Sequence, residues 1–301
     1  MENKKFTKAD IVADLKKLGV KEGDILNVKV SFKSIGEIDG GVQTFVEALL
    51  DAVGESGTIV SDAFVKAKPM IPFSKSARKL SLPNAPSYAG IIANTMIKYP
   101  GSKRSPHPIQ KFVAIGQKAD IVLKHDINSK PYSTLHEMCL LGAKNLRVGP
   151  PDKVVGVGTT HVAIDLLGYQ QNMIRCGVDY IDNNQKKTFV VNWPSGCKRA
   201  FNELLPVYKN MGALIGESNI GNAPGMLTDM ASTLKIEMQL GAETPNFILC
   251  KHPGCYKCRL TWKHSEGKML NVIMANVKAK NFKNIASILY LSIFKNYQPG
   301  K

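Results

Sequence analysis

His161 stands in the tetrapeptide GTTH, after the apolar run Val154 to Val157 and before a leucine-rich stretch. That order predicts a strand over Val154 to Val157, a tight turn at Gly158, a cap at Thr159 or Thr160, and His161 in the first turn of a helix. The positive end of a helix lowers an imidazole's pKa and keeps it neutral, the form a general base needs. A plain polar cap is the competing reading. The block KRSPHP places Lys103, Arg104, Ser105 and His107 beside two prolines that stiffen the backbone. It reads either as a stiff basic loop suited to phosphate or as a polar turn in which His107 bonds a neighbouring carbonyl. In CKHPGCYKC, the residues Cys250, His252, Cys255 and Cys258 lie within nine positions, and CxxC is a spacing that brackets tetrahedral zinc. Structural zinc usually draws on two separated pairs, whereas here only His264 or a distant cysteine remains to complete a site, so no metal is assigned. Cys139, Cys176 and Cys197 lie alone and read as reduced thiols.

These groups need elements to hold them. Ile11, Val12, Leu15 and Leu18 share one helical face, with Thr7 and Asp10 spaced as a capping box and Gly19 as the stop. Asp24 to Ser31 alternates as a strand, the turn IGEIDGG feeds a helix from about Val42 to Val53, and Gly57 to Val60 follows as a second strand. The stretch Ala63 to Ser87, with four prolines and little periodicity, predicts a long surface loop. Further helices are expected near 88–96, 116–123, 133–141, 160–167, 199–208 and 226–240, and a strand at 145–148. A hairpin is expected from 177–181 and 188–192 around Asp182, Asn183 and Asn184. The expected fold is α/β, a mixed central sheet flanked by helices, with a long lid-like loop or small subdomain. Residues 1–250 are expected to form the α/β domain, and residues 251–301 a basic, cysteine-containing extension packed on it.

With 301 residues and 44% apolar content the chain can bury a large core. Its formal charge of +16 is concentrated late: residues 251–301 carry ten Lys or Arg against the single acid Glu266. Such a balance favours anionic partners, or serves solubility alone. No run approaches the ~18 apolar residues of a bilayer span, and the N-terminus opens into a polar helix rather than a signal peptide, so a cytoplasmic location is expected. Lys278 to Gln298 is spaced as an amphipathic helix that docks on the core or lies on an anionic membrane surface.

Read in order, VSFKSIGEIDGG, ALLDAVGESGTIVSDAF, PGSKRSPHPIQKFVAIGQKA, STLHEMCLLGAKNLRVG, GTTHVAIDLLG and IGNAPGMLTDM resemble the antibiotic N-acetyltransferase family over roughly residues 5–250. The resemblance implies acetyl-CoA as co-substrate and an amine of a 2-deoxystreptamine antibiotic as acceptor. It implies that Ser31, Lys33, Ser34 and Gly36 meet the CoA at a strand end, and that Arg104, Ser105 and His107 contact its phosphates. It makes His161 the base that takes the acceptor's proton, with Thr160 helping the backbone N–H groups that face the carbonyl oxygen.

The chain departs from the family pattern where carboxylates matter. Ile164 occupies the glutamate position of an HxxE helix, leaving Asp165, four residues after His161, as the candidate to orient it. Ala200 precedes Phe201 where the family has aspartate, and Lys29 replaces the histidine of the first motif. With 24 acids against 40 bases, a neutral or anionic amino sugar fits better than a polycationic drug. The competing reading is a catalytically weak relative that binds CoA or a glycan without turnover. A zinc-assisted nucleic-acid binder lacks the interleaved aromatics of such surfaces, so no nucleic-acid partner is expected.

Overall fold

The first helix forms where its cap residues mark it. The Thr7 hydroxyl accepts from the Asp10 N–H at 3.2 Å, the Asp10 carboxylate accepts from the Thr7 N–H at 2.9 Å, and Gly19 closes the helix at φ 108°. In the computed structural model, which describes residues 5–70, 78–169, 171, 173, 175–192 and 196–294, the chain begins with α1 (Lys8–Leu18), β1 (Ile25–Val30), the single turn α2 (Phe32–Ile35), α3 (Gly41–Val53) and β2 (Thr58–Asp62). Then come β3 (Lys68–Pro69), α4 (Ile91–Lys98), β4 (Lys103–Arg104), β5 (Phe112–Gly116), α5 (Ala119–Val122), α6 (Ser133–Leu140) and β6 (Lys144–Val148). The second half holds α7 (Thr159–Leu166), β7 (Arg175–Asp182), β8 (Gln185–Asn192), α8 (Lys198–Glu203), α9 (Leu205–Asn210), β9 (Leu214–Ile220) and β10 (Ala223–Asp229). It ends with α10 (Met230–Glu243), α11 (Met269–Lys278) and α12 (Phe282–Phe294).

The large sheet has the order β4-β5-β2-β1-β6-β10-β9. Its centre, β2-β1-β6, is parallel, and the pairs outside it are antiparallel. This is the expected mixed sheet. Pleating separates its faces: Leu26, Val28, Ile59, Leu146 and Val148 pack with Leu15 and Phe45 of α1 and α3, while Ile25 and Val60 pack with Leu135, Val162 and Met230 of α6, α7 and α10. Because β1 leads to β2 on one side and pairs with β6 on the other, chain order reverses between β1 and β6. In open α/β sheets such a reversal favours a crevice at the carboxyl ends of the strands. Gly149 permits the close approach: at φ 129° a Cβ would lie 2.8 Å from that of Ser31.

The smaller sheet, β3-β7-β8, corresponds to the small subdomain expected as the alternative to a lid-like loop. Its hairpin turns on Asn183 and Asn184, both left-handed at φ 47° and 61°. Part of the expected loop supplies β3, and Arg78 pairs with the buried Asp179 at 2.8 Å; the stretch 71–77 lies outside the described residues.

Two expectations fail for local reasons. Val154 to Val157 is a loop, because the sheet position it would fill is taken by β10. Met226 to Asp229 ends β10 rather than starting a helix, since an apolar run buried by antiparallel pairing to β6 is periodic for neither alone. The expected C-terminal helix over 278–298 is present as α12, set off from α11 by Lys280 at φ 52°; residues 295–298 lie outside the described residues. Trp262 and Cys258 of the C-terminal segment pack with Ile164 of α7.

At the sheet edge the KRSPHP block makes a buried corner. His107 is 0% exposed, its Nδ1 accepts from the N–H groups of Ile109 (3.1 Å) and Gln110 (3.0 Å), and its ring stacks on His125 at 4.5 Å. Burial, chiefly, lowers the two pKa values to about 3 and about 4. Both imidazoles are neutral when folded and take protons near pH 6.5 when unfolded, so the unfolded chain gains protons first as pH falls. Together they are expected to remove about 2.5 kcal/mol of stability between pH 7 and pH 5.5. His161, whose pKa burial likewise lowers to about 3, adds a similar share. Urea unfolding at the two pH values measures the sum of the three, and His107→Asn, whose amide oxygen can still accept both N–H bonds, should remove about a third of it.

Candidate active site

The pleat that buries Ile25 and Val60 against α7 puts Lys29 and Asp62 on the same side, at the carboxyl ends of β1 and β2. Lys29 Nζ and Asp62 Oδ2 are 3.4 Å apart, both side chains partly buried. They line a cleft of about 300 Å³ with Phe64, Tyr88 and Lys153. His161 lies beside it, half-buried in the first turn of α7, close enough for the Lys29 charge to act on its ring. The imidazole stacks on Tyr132 at 4.2 Å with planes 3° apart and meets Phe201 edge-on at 5.1 Å. Burial first, and the Lys29 cation second, lower its pKa to about 3. The histidine is therefore neutral, as expected from its helix position, but for a different main cause.

Thr160 is 0% exposed, and its hydroxyl donates to Glu237 Oε1 at 2.6 Å, as does the Tyr208 hydroxyl at 2.6 Å. It anchors α7 to α10 and does not reach the cleft, contrary to the role expected for it. Burial raises the Glu237 carboxyl to about 7 against these hydrogen bonds. Asp165 is exposed and pairs with Lys130 at 2.9 Å on the surface. Among the described residues no carboxylate is hydrogen-bonded to the His161 ring.

Ser31 follows β1 directly: its N–H donates to Val148 O at 2.8 Å, and its hydroxyl lies 2.8 Å from that of Ser34. Gly36 sits at φ 102°, where a Cβ would fall 2.7 Å from Asn222 Nδ2, and Lys33 is exposed. These four share the carboxyl end of β1 with Lys29. The other expected phosphate contacts are spent inside the fold. Arg104 donates to the carbonyls of Pro83 (3.0 Å), Ala85 (2.5 Å) and Ala63. Ser105, 1% exposed, accepts from the Phe112 N–H at 2.9 Å. Buried groups with internal partners build a corner rather than touch a ligand, which corrects the expectation for Arg104, Ser105 and His107.

Sequence reasoning passed over Asp62, Tyr132 and Glu237. Asp62 carried a signal, a carboxylate ending an apolar strand in IVSDAF. Glu237 carried another: it falls on the buried stripe Met230, Thr233, Glu237, Gly241 of α10. A larger hollow of about 490 Å³ lies along β9 and β10; the smaller cleft is favoured because Lys29, whose charge acts on His161, lines it together with Asp62.

A neutral histidine beside an ion pair at the carboxyl ends of β1 and β2, in a mixed sheet flanked by helices, defines an α/β protein with an enzyme-type cleft. Residues 28–240 match the family described as aminoglycoside 3-N-acetyltransferase. The chain belongs to this antibiotic N-acetyltransferase family. It is 33% identical over 160 residues to aminoglycoside N(3)-acetyltransferase III of Salmonella sp, covering 48% of this chain and 56% of that protein. A prophage-derived aminoglycoside N(3')-acetyltransferase-like protein of Bacillus subtilis is 35% identical over 133 residues, 39% of this chain and 49% of its own. The chain thus spans about half the length of the curated relatives it matches. The fold is similar to that of AAC(3)-IVa (TM-score 0.71, 21% identity, covering 85% of this chain and 96% of that one). It is also similar to AAC-IIIb solved with CoASH (TM-score 0.70, 22% identity, 80% and 98%) and AAC-VIa bound to sisomicin (TM-score 0.70, 23% identity, 80% and 99%).

Replacing Lys29 by Met removes the cation facing His161 and leaves Asp62 without its counter-ion, and both changes favour the imidazolium. The His161 pKa is expected to rise from about 3 by about one pH unit or more. Heteronuclear NMR titration of the His161 ring measures it; an unmoved value would show that the Lys29 charge does not reach the ring.

Proposed function

We propose that the protein transfers an acetyl group from acetyl-CoA to an amine of an amino sugar, with His161 as general base. The observation that carries this reading is the neutral His161 held between Tyr132 and Phe201 beside the Lys29–Asp62 pair at the strand ends. A relative of the same fold is solved with CoASH and another with sisomicin, which supports CoA and an amine-bearing sugar as the two ligands.

The α2 turn supplies the CoA end: the Ser31–Ser34 hydroxyl pair, the Gly36 turn and the exposed Lys33 charge lie where the thioester arm would enter over β1. An attacking amine carries a proton it must lose as the tetrahedral centre forms, and the nitrogen's acidity rises steeply at that point. A neutral imidazole of low basicity is suited to accept the proton then, rather than from the free ammonium ion. Asp62 offers the acceptor a carboxylate, but Lys29 already neutralises it, and Lys33 and Lys153 add positive charge nearby. That balance suits a neutral or anionic amino sugar, such as a surface-glycan or nucleotide-sugar unit, over a polycationic antibiotic.

One observation favours a second reading, a binder of CoA or glycan that turns over weakly: no described carboxylate is bonded to the His161 ring, so the aromatic rings alone orient it. Acetyl-CoA consumption across a panel of amino sugars and 2-deoxystreptamine antibiotics separates the two. The first reading expects turnover with an amino sugar and a loss of about 10²- to 10⁴-fold in kcat/KM for His161→Ala. Tight CoA binding by calorimetry with no turnover on any amine establishes the second instead. Efficient acetylation of kanamycin-type drugs, with amino sugars ignored, would overturn the acceptor class.

A further inference from the structure

Four of the six cysteines converge at one point, which sequence spacing alone does not bring about. The Sγ atoms of Cys197, Cys250, Cys255 and Cys258 all lie within 4.8 Å of one another, and those of Cys197 and Cys255 are 3.7 Å apart. Cys197, isolated in the sequence, supplies the fourth position. His252 does not: its Nδ1 accepts from the Gly254 N–H at 3.1 Å and is occupied by its own turn.

We propose that these four thiolates hold one structural zinc ion. A metal–sulfur bond of ~2.3 Å in a regular tetrahedron sets the sulfurs about 3.8 Å apart, the spacing found between Cys197 and Cys255. A four-iron cluster binds each cysteine to a different iron and spreads the sulfurs further. An all-sulfur donor set selects a thiophilic ion over magnesium or calcium. Four protein ligands leave no open position, the mark of a structural rather than a catalytic site.

The surroundings suit the ion. Cys250 and Cys258 are buried at 1% and 0% exposure, and Cys197 at 7%. Cys255 and Cys258 form a tight knuckle, in which the Cys255 N–H donates to His252 O at 3.1 Å and the Arg259 N–H to Cys255 O at 2.9 Å. Arg259 also donates from its guanidinium to the Cys250 carbonyl. Binding follows Zn²⁺ + 4 Cys–SH → [Zn(S–Cys)₄]²⁻ + 4 H⁺, so the site ends with two negative charges. Lys198, Lys251, Lys257 and Arg259 each lie within a residue of a ligand in sequence, and the Arg259 guanidinium, bonded to the Cys250 carbonyl, brings positive charge to the site.

The ion would join the start of α8 to the 250–258 segment. α8 carries Phe201, edge-on to His161, and Asn202, whose side-chain oxygen accepts from the Gly156 N–H at 2.8 Å. The zinc therefore fixes one wall of the His161 niche without touching substrate, and the proposal stands whether or not the protein proves to be an acetyltransferase.

Elemental analysis of the full-length protein, purified without a polyhistidine tag or chelator, tests it. One zinc per chain is expected, released as a mercurial reagent titrates four thiols, while Cys139 and Cys176 lie outside the site. Cobalt refolded in its place should give the intense visible bands of a tetrahedral four-thiolate centre. Cys258→Ser should lose the ion, and Cys139→Ser should keep it. Zinc no higher than in a buffer blank, a disulfide among the four, or an equimolar iron centre overturns the proposal. Should Cys258→Ser fail to fold, the wild-type zinc content and cobalt spectrum decide the matter alone.

Discussion

Much of the molecule depends on the two-residue period of β1. Ile25, Asn27 and Lys29 face α7, while Leu26, Val28 and Val30 face α1 and α3. A slip of one residue in the register of β1 against β6 would exchange these sets and bury Lys29 in the apolar layer. A buried pair resists that slip: Asn27 Nδ2 donates to Asn145 Oδ1 at 2.8 Å, across the register position where the two residues face each other. The same ladder sets Lys29 opposite Arg147 and brings Val30 to the Ser31 turn. The site's charges are thus placed by hydrogen-bonding register before any loop contributes.

His161 depends in turn on how α7 is seated. A buried carboxylate, Glu237, takes the Thr160 and Tyr208 hydroxyls, and Thr159 meets Thr233 at 3.2 Å. These bonds fix the rotation of α7 about its axis, because Thr160 cannot point into α10 unless the next residue points toward the cleft. The carboxylate that sequence patterning sought beside His161 is present in the structure one layer deeper, where it positions the helix instead of the ring. Orientation of the imidazole passes to Tyr132 and Phe201, whose stacked and edge-on contacts hold it without adding charge. That arrangement is consistent with the low pKa, since no anion is bonded to the ring to stabilise its charged form.

The C-terminal segment takes part in the same niche. Trp262, Cys258 and Cys250 share a cluster with Ile164 of α7 and Phe201 of α8. Residues beyond the α/β core therefore support the helix that carries His161. α11 and α12 leave Leu270, Phe282 and Ile293 about 70% exposed, and no helix among the described residues is long and apolar enough to cross a membrane.

The sequence by itself determined the α/β class, the capped first helix, the Asn183–Asn184 hairpin and the ordered motifs of the family. Each of these is a local property: a cap, a turn or a short motif reports itself within a few residues. Tertiary structure decided what depends on distant partners. It made Ser105 and His107 a buried corner, turned Thr160 toward Glu237, carried Asp165 to the surface, and brought Cys197 to three cysteines more than fifty residues away. Nothing in the order of residues states which side of an element will face another. Sheet register and helix rotation make that choice, and they are fixed only when the two apolar layers close on the strands.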